Sequence, residues 1–364
     1  MTTYSPVKPP VCLLFLCVCS KELWIVSIMP RVSFAPPSLC LAFLSLLNHY
    51  LPSLPPTVRD IDVPSLHRQQ FIPSGYRPVG LSWRCCVLSL FQIHNETLNV
   101  WSHLLAAVCL VMRFMVFTIL QGGVPHCLLY VFSAVTYLSC SAAAHLLQSH
   151  SEQAHYSLFF LNYMGVGIYQ YGCALALCLY SSYHSSCQFL QIFLPAAAVL
   201  AWFSCATCCF AKFYLCRLYP LHRQLFQVVP LAVTYLLVIS PVVHRLIMYS
   251  WTTSSAPFLH LLQVVLFLLS AFFFSCPIPE YFFPGRYDIF GHSHQLFHIL
   301  LSFCMLTQQE ALFQDFLWQR QGLVREFGEK HLLMACVSFA CLLLCCMMTA
   351  LIMTIRAQKY TVSV

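Results

Sequence analysis

The chain has 364 residues, of which 60% are hydrophobic and 8% are charged, and its mean hydropathy is +0.76. Soluble domains carry about 25% charged residues, so this composition excludes a soluble globular protein and indicates an integral membrane protein. The net charge of +7 does not indicate nucleic-acid binding, because the basic residues form no clustered run and mostly flank the apolar segments.

The chain begins with residues 1–56, which we treat as an N-terminal segment separate from the membrane region. Its apolar stretch at residues 11–19 resembles the core of a signal peptide, but it is followed by the charged pair at 21 and 22 and by no small-residue cleavage site. We therefore expect no cleaved signal. Met29 is an alternative start of the protein.

Eight apolar segments follow, and about 18 or more apolar residues suffice to cross roughly 30 Å of hydrocarbon. They are predicted at residues 100–120, 127–147, 157–180, 187–210, 225–247, 260–276, 292–307 and 331–355, the seventh being short. The sequence thus predicts an all-α membrane protein with a bundle at 100–355 that has seven helices and an additional C-terminal eighth transmembrane helix. A cytosolic region, 57–99, precedes the bundle, and a short cytosolic tail, 356–364, follows it.

Basic residues are concentrated in the segments that would share one face of the membrane. Such residues lie before the first helix, between the fourth and fifth, and after the eighth; they are Arg59, Arg68, Arg77, Arg84, Lys212, Arg217, Arg223, Arg356 and Lys359. Lys and Arg are enriched in cytoplasmic loops. We therefore expect both termini in the cytosol.

A histidine pair opens the seventh segment. His294 and His298 are four residues apart, so on a helix they share one face and have chelating geometry. His145 lies near the end of the second segment, and because consecutive helices alternate in direction, all three imidazoles fall at one depth in the membrane. A lone intramembrane histidine is more often a packing residue, but three at matched depth indicate a zinc site. Ser141 is one turn from His145 and is placed to orient it or a bound water.

The acidic residues offer no obvious partner for such a site. None lies inside the eight predicted segments, and the loop carboxylates Glu96, Glu152, Glu280 and Asp288 are expected to be solvated. Arg113 is expected to face the bundle or to extend toward the membrane surface, and Arg245 to anchor a helix at the interface or to pair with a polar group of a ligand. The sequence singles out no catalytic residue.

Several motifs together resemble the progestin and adipoQ receptor family, over roughly residues 57–355. The motifs are Gly75 to Arg77, His94 to Trp101, Ser141 to His145, and His294 to His298. The resemblance is greatest to the membrane progestin receptor branch, because of further matches at residues 144–149, 239–245 and 274–277 and the extra eighth helix. It implies an adipoQ-receptor-like bundle.

The resemblance also implies that His145, His294 and His298 are zinc ligands. The family has an acidic residue, expected to hold a zinc-bound water, at the position before Tyr163-x-Gly165, where this chain has Asn162. An amide can hydrogen-bond a water but cannot accept its proton as a carboxylate can. Metal binding is therefore expected to persist while hydrolysis is weakened.

Two functions compete on these grounds. The first is a plasma-membrane receptor, surrounded by membrane lipids, that binds a steroid within its helical bundle. By resemblance the steroid is a progestin. The receptor would signal from the cytosolic face, with a heterotrimeric G protein as candidate partner. The second is a zinc-dependent amide hydrolase of a lipid such as ceramide, which the histidines favour and Asn162 opposes. A rhodopsin-type receptor is disfavoured by the eight segments and by the lack of Asp-Arg-Tyr after the third.

Overall fold

The structure, a computed structural model, describes residues 54–121, 127–181, 187–215, 220–248, 256–326 and 329–363. The N-terminal segment proposed for residues 1–56 lies outside this part of the chain except for its last three residues. Eight long helices make up most of the described residues. They are α1 (Thr97–Gln121), α2 (Cys127–Leu147), α3 (Glu152–Ser181), α4 (Cys187–Phe210), α5 (Pro220–Met248), α6 (Ala256–Ser275), α7 (Ser293–Glu326) and α8 (Glu329–Ser363).

Seven of these helices, all except α3, are long and apolar enough to cross a membrane. The predicted fold class, an all-α multi-pass membrane protein with a C-terminal helix added to the bundle, is therefore confirmed. α8 continues to Ser363, through the residues expected to form a tail. It packs against α3, where the Tyr171 hydroxyl donates a hydrogen bond to the carbonyl of Ala335 over 3.2 Å.

α3 lies at the centre of the bundle and packs against α2, α4, α5, α7 and α8. Its tyrosine, asparagine and glutamine side chains lower its hydropathy, but Tyr171 and much of its surface are buried by neighbouring helices. Glycines permit this close packing, as small residues do between membrane helices. A Cβ atom on Gly172 would lie 1.9 Å from the Ser133 hydroxyl of α2, and one on Gly167 would lie 3.0 Å from the Ala201 carbonyl of α4.

α7 is much longer than the predicted 292–307. Its candidate span runs over Ser293–Leu317 and includes Glu310 and Asp315. The expectation that no carboxylate lies within a span was therefore wrong. Hydropathy missed the part of α7 beyond residue 307 because polar side chains lower the mean hydropathy there. These side chains have partners inside the bundle. Gln309, for example, is fully buried and donates to the Leu110 carbonyl over 2.9 Å.

Two arginines in the helices bond to these carboxylates. Arg245 is buried and donates from Nη1 to Asp315 Oδ1 over 2.5 Å, and Asp315 Oδ2 accepts from His260 Nε2 over 2.7 Å. The expectation that Arg245 acts mainly as an interfacial anchor was thus wrong, because its charge is compensated inside the bundle. Arg113 forms an ion pair with Glu310.

The region before α1 is folded and covers one end of the bundle. Val58 pairs with Tyr76 in an antiparallel bridge, and Val63, Ile72 and Tyr76 form a small buried cluster. Arg77, expected to be a topology signal, is buried and donates to the carbonyls of His145 and Leu146 at the end of α2, over 2.6 and 2.5 Å. A cation there satisfies terminal carbonyls and complements the helix dipole.

Candidate metal centre

The structure brings together the three histidines that the sequence singles out. His145 lies in the last turn of α2, and His294 and His298 lie in the first turns of α7. One nitrogen of each ring lies within 4.8 Å of the others, and Nε2 of His294 is 3.2 Å from Nε2 of His298. Two imidazole nitrogens at about 2.0–2.1 Å from a tetrahedral zinc would be roughly 3.4 Å apart. The spacing therefore fits a shared metal ion.

Glu96 is the principal site residue that sequence analysis misjudged. It is 6% exposed, and its Oε2 accepts a hydrogen bond from Nδ1 of His145 over 2.7 Å. Asn99 Nδ2 donates to the same oxygen over 2.6 Å, and Gln69 Nε2 donates to Oε1 over 2.7 Å. The expected solvated loop charge is thus a buried carboxylate directly behind a candidate ligand.

These bonds keep Glu96 ionised. Burial alone raises the pKa of the carboxyl. The neighbouring His145 and the amide of Asn99 together lower the pKa by more than burial raises it, so the pKa of Glu96 lies well below its usual value. An ionised Glu96 accepts the Nδ1 proton of His145 and leaves the Nε2 lone pair for a metal. Carboxylate–histidine pairs of this kind orient ligands at zinc sites.

His298 is oriented in the same manner by the backbone. Its Nδ1 donates to the carbonyl of Asn99 over 3.2 Å. A proton on Nδ1 leaves Nε2 as the metal-binding nitrogen. Asn99, in the first turn of α1, therefore orients His298. Glu96, the residue just before that helix, orients His145.

The loop that carries Glu96 is attached to the start of α7. The Asn95 carbonyl accepts bonds from His292 Nε2 over 3.1 Å and Gln295 Nε2 over 3.0 Å. His94 is buried and interacts with the Ser89 carbonyl and the Glu96 amide; burial, together with the charge of Arg77, lowers the pKa of His94 to about 3. The motif from His94 to Trp101 thus supplies the Glu96 carboxylate and the Asn99 carbonyl, which hydrogen-bond histidines on two other helices.

The remaining loop carboxylates were also expected to be solvated, and two of them are buried. Glu280 accepts a bond from the backbone N–H of Ser293 over 2.8 Å, which caps α7. Asp288 accepts a bond from the Ser74 hydroxyl over 2.5 Å. Glu152 is half-buried in the first turn of α3. These residues hold segments around the site and are not neighbours of the histidine rings in the described contacts.

Ser141 lies on α2, the helix that carries His145, and Asn162 lies on the neighbouring helix α3. Ser141 is buried one turn before His145 in α2. Asn162 is half-buried in α3, and its Oδ1 has no hydrogen-bond partner among the described residues. Phe159, one turn earlier in α3, contacts the ring of His145 with a centroid distance of 5.6 Å. An orphaned buried acceptor on this helix is consistent with a polar group at the site that the chain does not supply.

A fourth histidine, His103, lies against the cluster. Its ring stacks on that of His298 with a centroid distance of 3.9 Å and an interplanar angle of 18°. It is fully buried, and neither ring nitrogen has a hydrogen-bond partner in the described part of the chain. Its position four residues after Asn99 and seven after Glu96, on one helical face, was the available sequence signal.

Comparison with known proteins agrees with this architecture. The model of a family described as haemolysin-III related matches residues 91–309, from just before the Glu96 loop to the middle of α7. Over 314 residues the chain is 46% identical to membrane progestin receptor beta of Mus musculus, covering 84% of this chain and 89% of that protein. It is 44% identical over 301 residues to membrane progestin receptor alpha of Homo sapiens, covering 76% of this chain and 86% of that protein.

These matches span the helices and the loop that build the histidine cluster, and they agree with the motifs found in the sequence. The chain therefore belongs to the haemolysin-III-related, or progestin and adipoQ receptor, family, in its membrane progestin receptor branch.

Proposed function

We propose that this protein is a plasma-membrane receptor for a progestin-class steroid, with a zinc ion held by His145, His294 and His298. The observation that carries the proposal is the 46% identity to a protein named membrane progestin receptor beta, over 89% of that protein's length. Identity at this level, over most of both chains, is the ground for extending the ligand class in that protein's name to this chain.

Zinc is proposed because of the ligand types and their supporting bonds. Three imidazoles with one position left open suit zinc, and Glu96 and the Asn99 carbonyl fix two of the rings. A bound zinc would act as a Lewis acid toward an oxygen atom at the open position. Asn162 and Ser141 are the candidate hydrogen-bonding groups for that oxygen, and the metal would also join α2 to α7.

Signalling is proposed to occur at the cytosolic face. This is supported by the distribution of Lys and Arg, which favours cytosolic termini and hence a cytosolic histidine end of the bundle. The folded region before α1 lies at that end and bonds to α2 and α7 through Arg77 and Asn95. A change in the relative positions of these helices would therefore reach a surface available to a heterotrimeric G protein.

A second candidate, a zinc-dependent hydrolase of a lipid amide, is favoured by one specific observation. Glu96 is ionised, buried and bonded to a candidate zinc ligand, as in sites that activate water. Against it, Glu96 is occupied by His145, Asn99 and Gln69, and Asn162 cannot accept a proton. The receptor function is therefore ranked first.

The test is saturable binding of a radiolabelled progestin to membranes of cells that express the protein, with oestradiol and cortisol as competitors. We expect progestins alone to compete, and the bound ligand to increase guanine-nucleotide exchange on an added G protein. Hydrolysis of ceramide by the same membranes with no saturable progestin binding would favour the hydrolase.

A further inference from the structure

A groove on the membrane-facing surface lies between α1 and α7. It has a volume of about 320 Å³, and Arg113, Val116, Phe117, Glu310 and Phe313 contribute to its walls. The rings of Phe117 and Phe313 stack in parallel, 3.9 Å apart. The groove is thus an apolar, partly aromatic surface interrupted by one ion pair.

The ion pair lies beyond the midpoints of its two helices, in the half of the bundle opposite to the histidines. Arg113 is four residues beyond the midpoint of α1, and Glu310 is five beyond the midpoint of the span Ser293–Leu317. At 1.5 Å per residue these positions are about 6 Å past the centre of α1 and about 7.5 Å past the centre of the α7 span. The surface of the hydrocarbon layer is about 15 Å from its centre.

The pair is only partly covered by protein. About one third of each side chain is exposed, 33% for Arg113 and 32% for Glu310. Charged groups that face hydrocarbon are costly and usually mark a functional site. An occupant of the groove that offered a polar atom at this depth would remove part of that cost.

The hydrogen bonds indicate which polar atom fits. Arg113 donates from Nη1 to the Leu306 carbonyl over 3.0 Å and from Nη2 to Glu310. Glu310 accepts this bond on Oε2 and a bond from Gln314 Nε2 on Oε1, over 3.2 Å. A guanidinium has five N–H donors, and the bonds to Leu306 and Glu310 use two of those of Arg113, so its remaining N–H groups can donate to a ligand. The ligand atom should therefore be an acceptor.

The charge of the ion pair and its depth limit further which ligands would fit the groove. The pair has no net charge, and Glu310 would repel a phosphate or a fatty-acid carboxylate. A phospholipid or a membrane sterol carries its polar group at the membrane surface and would place only hydrocarbon beside Arg113. A steroid with a ketone at each end of its rigid ring system offers one acceptor at depth and another near the surface.

We propose that this groove is the steroid-binding site, with one ketone oxygen of a progestin accepting a hydrogen bond from Arg113 and the steroid rings packed against Val116 and Phe117. This inference rests on the proposed receptor function and assigns its ligand site. The groove and the histidine cluster share α1 and α7, about 18 Å apart along α7 from His298 to Glu310. Steroid binding would therefore contact α7, which carries His294 and His298, and α1, whose Asn99 carbonyl orients His298.

The test is binding of a radiolabelled progestin to the purified full-length protein and to three variants. Val116→Trp fills the groove, and the double variant Arg113→Met with Glu310→Leu removes both charges together. Val108→Trp is the matched control, because Val108 and Val116 are both exposed on α1, at 60% and 52%, and Val108 is outside the groove. Zinc content and monodispersity report folding independently of the ligand.

Loss of a hydrogen bond to a charged group corresponds to about a 10- to 100-fold change in affinity. We expect a loss of that size in the groove-filling and double variants, near-normal affinity in Val108→Trp, normal zinc content in all, and no displacement by excess cholesterol. Wild-type affinity in both groove variants, or displacement by cholesterol, would overturn the groove assignment and leave the receptor function intact. Absence of progestin binding in the wild type would overturn both.

Discussion

Glu96 Oε2 and His145 Nδ1 are joined by a buried 2.7 Å hydrogen bond that links the loop before α1 to the last turn of α2. The bond assigns the Nδ1 proton and the Nε2 lone pair of the histidine. It makes the orientation of one candidate zinc ligand dependent on a residue nearly fifty positions away in the sequence.

Replacing Glu96 with glutamine should therefore weaken zinc binding without removing a ligand. Loss of an outer-shell partner typically costs 10- to 100-fold in metal affinity, and competition with a chromogenic chelator would measure it. Glu152→Gln, which neutralises a half-buried carboxylate at the start of α3, is the control and should bind zinc normally. Equal affinity in Glu96→Gln and wild type would show that the bond does not orient a ligand.

Replacing Asn162 with aspartate separates the two candidate functions. A carboxylate there would supply the missing proton acceptor, and a general base typically contributes about 10² to 10⁴-fold to a rate. We expect the wild type to hydrolyse ceramide barely if at all, and the variant to do so measurably, in an assay of fatty-acid release from zinc-loaded protein. Rapid wild-type hydrolysis that the substitution does not increase would contradict the receptor-first ranking.

Replacing Asp315 with asparagine should destabilise the bundle far from the histidines. The substitution leaves Arg245 as a buried cation without its carboxylate and weakens the bond to His260. Breaking one partner of a buried pair costs about 3–5 kcal/mol, which thermal unfolding in detergent would detect. Removing both charges with Arg245→Met and Asp315→Leu should recover part of the loss, while Asp62→Asn, at an exposed site, should have no effect. A double variant less stable than Asp315→Asn would contradict this account.

The buried His94 should make stability depend on pH. Its pKa is lowered from 6.5 to about 3 in the folded protein, mainly by burial and next by Arg77. Between these values the unfolded chain binds a proton that the folded chain does not, so stability falls as the pH falls from about 6.5 toward 3. Unfolding temperatures of metal-free protein should therefore decrease less steeply with acidification in His94→Gln. Parallel curves for variant and wild type would exclude this contribution.

The fold and the histidine cluster follow from simple features of the sequence. Apolar segment lengths gave the helices, and counting residues from their ends placed His145, His294 and His298 at one depth. Glu96 was missed because it precedes the first turn of α1, where neither hydropathy nor helical periodicity reports a side chain's partner. The second half of α7 was missed because Gln309 and Asp315 lower its hydropathy, although both are buried and bonded across helices. In both cases, hydrogen bonds between distant parts of the chain determine where the polar side chain lies.

Zinc K-edge X-ray absorption on the purified protein, together with metal content, tests the central claim most directly. The account predicts about one zinc per chain with three imidazole ligands at about 2.0–2.1 Å. Occupancy should fall in each of His145→Ala, His294→Ala and His298→Ala, and remain normal in the control His244→Ala, which alters an exposed histidine of α5. Zinc-free wild-type protein after supplementation with zinc, or unchanged zinc content in all three variants, would contradict it.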